Sequence, residues 1–186
     1  TNTWIEKQWN GLTSFPGSKE YLWTIGENIY CSYQGEYVLD KTTDTWIEKT
    51  WNGPISFSGS NIWIDGENVY YSSWSEQYVL DKSTDTWIEK QWNGLTSFYS
   101  NYIWIDGDNI YYSNSSNNHY ILDKTTNTWE TKQWNGFTDF YGSYIWTDGE
   151  NIYCSNGTSQ YVLDESTDTW TEKIWSGLTN FYAYNI

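Results

Sequence analysis

IWIDGENVYYS (62–72) contains two short runs of alternating residues parted by Asp65-Gly66, a strong local signal for a hairpin turn. SWSEQ (73–77) has no period. YVLD (78–81) and TWIEKQW (86–92) then form two more strand-like runs around DKSTD (81–85). In that connection Asp81, Ser83, Thr84 and Asp85 carry side chains that bond nearby backbone and favour a turn. The stretch predicts a four-stranded antiparallel meander, strands a to d, followed by the loop NGLTSFYSN (93–101).

The meander recurs along the chain. Trp4, Trp46, Trp87, Trp129 and Trp170 are spaced by 42, 41, 42 and 41 residues, and Trp9, Trp51, Trp92, Trp134 and Trp175 keep the same spacing. Trp23, Trp63, Trp104 and Trp146 follow at 40, 41 and 42, leaving only Trp74 outside the pattern. The inner strands are apolar on both faces, since Ile62 and Ile64 alternate with Trp63, and Val69 with Tyr70. A lone sheet would leave one of these faces in water, whereas stacked sheets cover both. The predicted fold is therefore all-β, a β-propeller of four-stranded antiparallel blades with about 41–42 residues per repeat. Strands are expected near 21–25, 28–32, 36–40 and 45–51 and at their equivalents. The array divides into a leading outer strand and loop (1–20), blade 1 (21–60), blade 2 (61–101), blade 3 (102–143) and blade 4 with the start of another repeat (144–186).

Each unit has an apolar strand b, a Tyr opening strand c (Tyr37, Tyr78, Tyr120, Tyr161), an Asp-led turn, and Thr-Trp in strand d. This order resembles the Kelch family. Kelch repeats carry Gly-Gly after strand b, where this chain has Cys31-Ser32, Tyr71-Ser72, Tyr112-Ser113 and Cys154-Ser155. The repeats are also similar to Trp-rich repeats of bacterial or phage surface proteins, which implies an extracellular, cell-surface or virion-surface setting. Five copies of strand d stand against four of a, b and c, and no Met occurs. The expectation is a processed or excised piece of a larger propeller, or one that closes with another copy as a homo-oligomer. A self-closed four-blade ring with a spare d strand is the alternative.

The formal charge is −15, and all nine cations are Lys, scattered along the chain. Such a surface repels phosphate backbones and anionic lipid, so neither nucleic acid nor membrane is an expected partner. Asp40, Asp81, Asp123 and Asp164 each open a c-to-d turn, and that role accounts for them without invoking a base or a metal. The acidic a-to-b turns lack the ligand spacing of a calcium loop. Cys31 and Cys154 occupy the same position in two blades and are expected as buried free thiols. No cofactor is expected, and no convergent acid/base set points to an enzyme.

Diversity is confined to certain connections. The b-to-c linkers SYQGE (32–36), SSWSEQ (72–77), SNSSNNH (113–119) and SNGTSQ (155–160) all differ, as do the tips of the d-to-a loops. Strand direction places both sets at one end of the blades, where loops on a rigid scaffold commonly bind. The candidate ligand-binding residues are Tyr33, Trp74, Tyr99, Asn114, Asn117, His119 and Tyr141, a mixture of aromatic platforms with amides and hydroxyls suited to a glycan or a protein or peptide. The expected function is a non-catalytic binding module. The alternatives are a structural scaffold of a larger surface or phage tail protein, and a fragment of a Kelch-type propeller enzyme.

Overall fold

The computed structural model describes residues 9–12, 22–32, 35–53, 61–73, 76–95, 102–114, 116–137, 139–140, 144–156 and 159–176. Blade 1 comprises β1 (Leu22–Ile25), β2 (Asn28–Ser32), β3 (Glu36–Asp40) and β4 (Thr45–Glu48). Blade 2 comprises β5 (Asn61–Asp65), β6 (Asn68–Ser73), β7 (Glu76–Asp81) and β8 (Thr86–Glu89). β9 (Tyr102–Asp106), β10 (Asn109–Ser113), β11 (His119–Asp123) and β12 (Thr128–Lys132) form blade 3. β13 (Tyr144–Thr147), β14 (Ile152–Asn156), β15 (Ser159–Asp164) and β16 (Thr169–Glu172) form blade 4. Each blade is a four-stranded sheet in chain order, so the all-β propeller-blade architecture is as the repeat predicts.

The turn chemistry explains these boundaries and corrects one of them. Asp106 pairs with Asn109 and Ile25 with Asn28, so the two-residue a-to-b turn is Gly107-Asp108 or Gly26-Glu27, and the residue before Gly ends strand a in blades 1 to 3, whereas β13 of blade 4 ends at Thr147, before Asp148. Gly26, Gly66 and Gly107 have φ of +55°, +57° and +54° at the first central position, a conformation that glycine adopts without strain. In the c-to-d turn the Asp40 carboxylate accepts from the backbone N–H of Thr42 (2.8 Å) and from the hydroxyls of Thr42 (2.6 Å) and Thr43 (2.7 Å). Asp81 repeats this with Ser83 and Thr84, and Asp123 with Thr125 and Thr126. These bonds hold the Asp40 and Asp123 carboxyls down to about 2. The fifth turn residue is left-handed in every blade, at Asp44, Asp85, Asn127 and Asp168, where short Asx side chains are tolerated.

Strand d is shorter than predicted, because the chain after it leaves to engage the following blade. Asn52 N–H donates to the Asp85 carbonyl (2.8 Å), and Trp87 N–H returns a bond to the Asn52 carbonyl (2.9 Å). Asn52 Nδ2 adds a third bond, to the Thr84 carbonyl (3.1 Å). Asn10 bridges Thr45 in the same parallel sense, as do Asn93 with Thr128 and Asn135 with Thr169. The glycine after Asn is fixed by this approach. At Gly94 (φ +81°) an added Cβ would lie 2.2 Å from the Trp129 carbonyl oxygen.

The chain forms two compact units, residues 1–71 with 78–89, and residues 72–77 with 90–186. In the first, Trp51 lies between Trp23 (5.8 Å between ring centroids) and Trp87 (6.1 Å), with Lys49 Nζ 4.6 Å above its ring and paired with Asp85. In the second, Trp134 lies between Trp104 (6.0 Å) and Trp170 (6.0 Å), under Lys132, which pairs with Asp168 at 2.7 Å. Within each unit the three tryptophan series thus converge in a cluster, one ring from strand a, one from the linking segment and one from the next strand d. Trp46, Trp87, Trp129 and Trp170 are all buried. Each contributes about 4–6 kcal/mol of apolar burial as an upper bound.

Candidate functional site

In blade 1, β2 ends with Ser32 paired opposite Glu36, at the other end of the sheet from both tight turns. The buried Ser32 hydroxyl accepts from Trp23 Nε1 (2.8 Å) and donates to the Glu36 carboxyl (2.7 Å). The repeat places a buried Ser at the same point in every blade: Ser72, Ser113 and Ser155. Its partner position changes from Glu36 to Gln77, His119 and Gln160. Ser113 Oγ lies 2.9 Å from His119 Nδ1, and Ser155 donates to Gln160 Oε1. The Gln77 amide, also buried, has no hydrogen-bond partner among the described residues. In blades 1 and 4 the Ser thus relays a strand a indole to the residue before the strand c Tyr, Trp23 to Glu36 and Trp146 to Gln160, whereas in blade 3 Trp104 Nε1 has no partner among the described residues.

Burial raises the Glu36 carboxyl to about 7, against the opposing effect of the Ser32 hydroxyl and the Trp51 indole. In its place blades 2 and 4 carry a neutral amide. This set of Ser and partner residues was not among the candidates drawn from the sequence. Its signal was available there, because one position directly before the strand c Tyr changes chemistry while its neighbours repeat.

His119 differs from its sequence expectation. It is not an exposed loop group but the first residue of β11, buried, with Phe140 of the d-to-a connection packed edge-on at 4.7 Å. Phe140 in turn packs on Trp170 at 5.4 Å. Asn114 shapes its loop from within, its side-chain carbonyl accepting from Ser116 N–H (3.0 Å) and Asn118 N–H (3.0 Å). Asn117, left-handed at φ +58°, is exposed beside Ser116 and Asn118. Tyr33, Trp74, Tyr99 and Tyr141 lie outside the described residues. In the second unit the two families of variable loops do meet: Asn156, at the start of the blade 4 b-to-c connection, donates from Nδ2 to the Asp139 carbonyl (2.9 Å).

No protein-family model matches the chain, and no curated protein matches its sequence. The fold has counterparts among solved structures. The chain is similar to the extracellular domain of BT4673 from B. thetaiotaomicron. Two structures of that domain, described as belonging to a putative hybrid two component system and a putative one component system, give TM-scores of 0.58 and 0.57 at 15% identity. They cover 89% and 87% of this chain, which spans about a quarter of their length (26% and 25%). PorZ, a surface component of the type-IX secretion system of Porphyromonas gingivalis, gives a TM-score of 0.49 at 13% identity over 80% of this chain and 20% of its own. At these identities the likeness is one of fold.

The opposite ends of the blades concentrate acid. Burial, followed by the carboxylates Asp106, Asp168 and Glu165, pushes the Tyr111 phenol up to about 12. Burial and the adjacent Asp106 raise Glu165 as well. Among the described residues no group of three or more His, Cys, Asp or Glu is arranged to hold a metal. A cavity of about 250 Å³ lies between β9 and β13, lined by Ile103, Trp104, Ile105, Ile145, Trp146, Thr147 and Ile152. Thr147 is the only side-chain hydroxyl in that apolar lining. Cys31 and Cys154 are thiols not joined in a disulfide, each with 0% exposure.

Proposed function

We propose that the chain is a non-catalytic binding module that recognises a glycan or a peptide through its b-to-c linkers and the tips of its d-to-a loops. One observation carries this reading: Asn156 bonds the Asp139 carbonyl, joining the two variable loop families at one end of blade 4. The c-to-d turns at the other end are occupied by Asp caps and inter-blade bonds, which leaves them little freedom to vary. The side chains of Ser116, Asn117 and Asn118 are exposed above the buried His119 and offer hydroxyl and amide groups in the manner of a polar ligand site. An enzymatic role is not proposed, since the repeated carboxylates serve as turn caps. A phosphate-rich partner is disfavoured by the charge of −15.

The similarity to an extracellular domain supports an extracellular setting for this reading. The motif order supports a Kelch-like origin for the blades. A structural scaffold is the second reading, favoured by the repeated inter-blade bonds, which need no ligand. Glycan and peptide arrays probed with the labelled chain separate the two. A defined set of related binders supports the module, and an array without selective binders leaves the scaffold.

A further inference from the structure

Asn52-Gly53, Asn93-Gly94 and Asn135-Gly136 stand at joints where the chain meets the turn of the next blade, and each residue of the pair is there for its own reason. The Asn gives its backbone N–H to the carbonyl of Asp85, Asn127 or Asp168 (2.8, 2.9 and 2.8 Å), and its own carbonyl takes the N–H of Trp87, Trp129 or Trp170 (2.9 Å each). Its side-chain Nδ2 adds a bond to the carbonyl of Thr84 (3.1 Å), Thr126 (3.4 Å) or Thr167 (3.2 Å). The Gly admits the neighbouring strand, since an added Cβ would lie 2.7, 2.2 or 2.2 Å from the carbonyl oxygen of Trp87, Trp129 or Trp170. Side by side, the two make a reactive dipeptide: glycine has no side chain to shield its backbone nitrogen, which can attack the preceding side-chain amide. In the closed joint that amide is tied to the next turn, so attack requires the joint to open.

We propose that these three pairs are sites of spontaneous covalent modification, protected while the joints are closed and released one joint at a time. In an open joint the Gly nitrogen bonds to the Asn Cγ, the Cγ–Nδ2 bond breaks, and Nδ2 leaves as ammonia with the proton of the Gly N–H. Water opens the resulting succinimide to aspartate or isoaspartate, and no oxidant or cofactor takes part. Neither product restores the joint. A carboxylate oxygen replaces the Nδ2 donor and faces the Thr84, Thr126 or Thr167 carbonyl, acceptor against acceptor. Isoaspartate also routes the main chain through Cβ and displaces the peptide that carries the two backbone bonds. Each event adds a negative charge to a chain already at −15. Contacts in a repeat array are settled between neighbours, so each joint opens on its own free energy. A reversible opening is thereby converted into a permanent break of one blade contact.

The test reads each opening twice in the whole chain. Hydrogen exchange is followed at the Trp87, Trp129 and Trp170 amides, which bond the three Asn carbonyls. In parallel the chain is incubated at neutral pH with and without denaturing urea, and peptide mapping measures aspartate and isoaspartate at each pair. All three pairs follow a Trp, so their rates in urea should be alike. The expected result is modification at least about tenfold slower in the native chain, with the three joints ranked as their Trp amides exchange. Asn52→Asp, which installs one product directly, should speed exchange at Trp87 at least about tenfold and leave Trp170 unchanged. Modification as fast in the native chain as in urea overturns the proposal, and so does a native ranking unrelated to Trp exchange. Protection of Trp87 that survives Asn52→Asp, or equal acceleration at Trp170, overturns it as well.

Discussion

Replacing Glu36 with Gln gives blade 1 the side chain that blades 2 and 4 already carry at this place, and the change should alter the pH dependence of stability more than stability itself. The folded chain holds the Glu36 carboxyl at about 7, above its ordinary 4.5. Below the lower value both folded and unfolded chains are protonated, and the favourable protonated form is fully present. As pH rises through the upper value the fold must release a proton that the unfolded chain has already lost, so stability falls across pH 4.5–7. The full difference is about 3 kcal/mol. Glu36 is only partly buried, and solvent screening brings the expectation to about 1–2 kcal/mol. Urea unfolding at pH 5 and pH 8 provides the assay: the wild-type chain should lose stability between them, and Glu36→Gln should lose markedly less. The capped aspartates have lowered values and act in a separate window, their contribution being lost only as pH falls from the ordinary carboxylate range through about 2. Equal losses in the two proteins between pH 5 and 8 would refute the buried-carboxyl account.

Three further outcomes follow from the packing. Trp87→Ala removes a ring shared by Trp23, Trp51 and Tyr71 and should cost about 3–5 kcal/mol in chemical unfolding; an unchanged midpoint would mean the cluster does not hold the blades. Gly94→Ala should cost more than about 2 kcal/mol, because its Cβ meets the Trp129 carbonyl, while Gly107→Ala, with nothing within 4 Å, should cost about 1 kcal/mol from its positive φ alone; equal midpoints would contradict the close approach. Cys31 and Cys154 should resist a thiol reagent in the native chain and both react after unfolding without reductant, and rapid native labelling would contradict their burial.

The tryptophan periods revealed the blades because every copy of a repeat must solve the same packing problem, and the Asp-led turns were legible because their hydrogen bonds are local. The a-to-b turn lies one residue later than the sequence suggests, since Asp65-Gly66 looks like the turn pair, while in blades 1 to 3 the residue before Gly stays within strand a. The role of Asn52 and Gly53 could not be read locally, because their partners lie more than thirty residues away in the next blade. His119 reads as a loop group because it ends a polar linker; in the structure Phe140, from the following connection, packs edge-on against it. The variable ends themselves were visible in the contrast among repeats. Which of their side chains face outward is a tertiary property, and of the named candidates Asn117 is the exposed one in the described loop.

The most direct test of the binding account measures affinity and melting temperature together for an array-selected ligand. The comparison sets Asn117→Ala and Trp74→Ala, at the variable ends, against Asp81→Ala at the opposite turn. The account predicts that the first two weaken binding at least about tenfold while stability stays within about 0.5 kcal/mol, as surface substitutions do. Asp81→Ala should lower the melting temperature, through loss of its bonds to Ser83 and Thr84, and leave affinity unchanged. Affinity that follows Asp81 and ignores both Trp74 and Asn117 would contradict the account and move the ligand to the acidic turns.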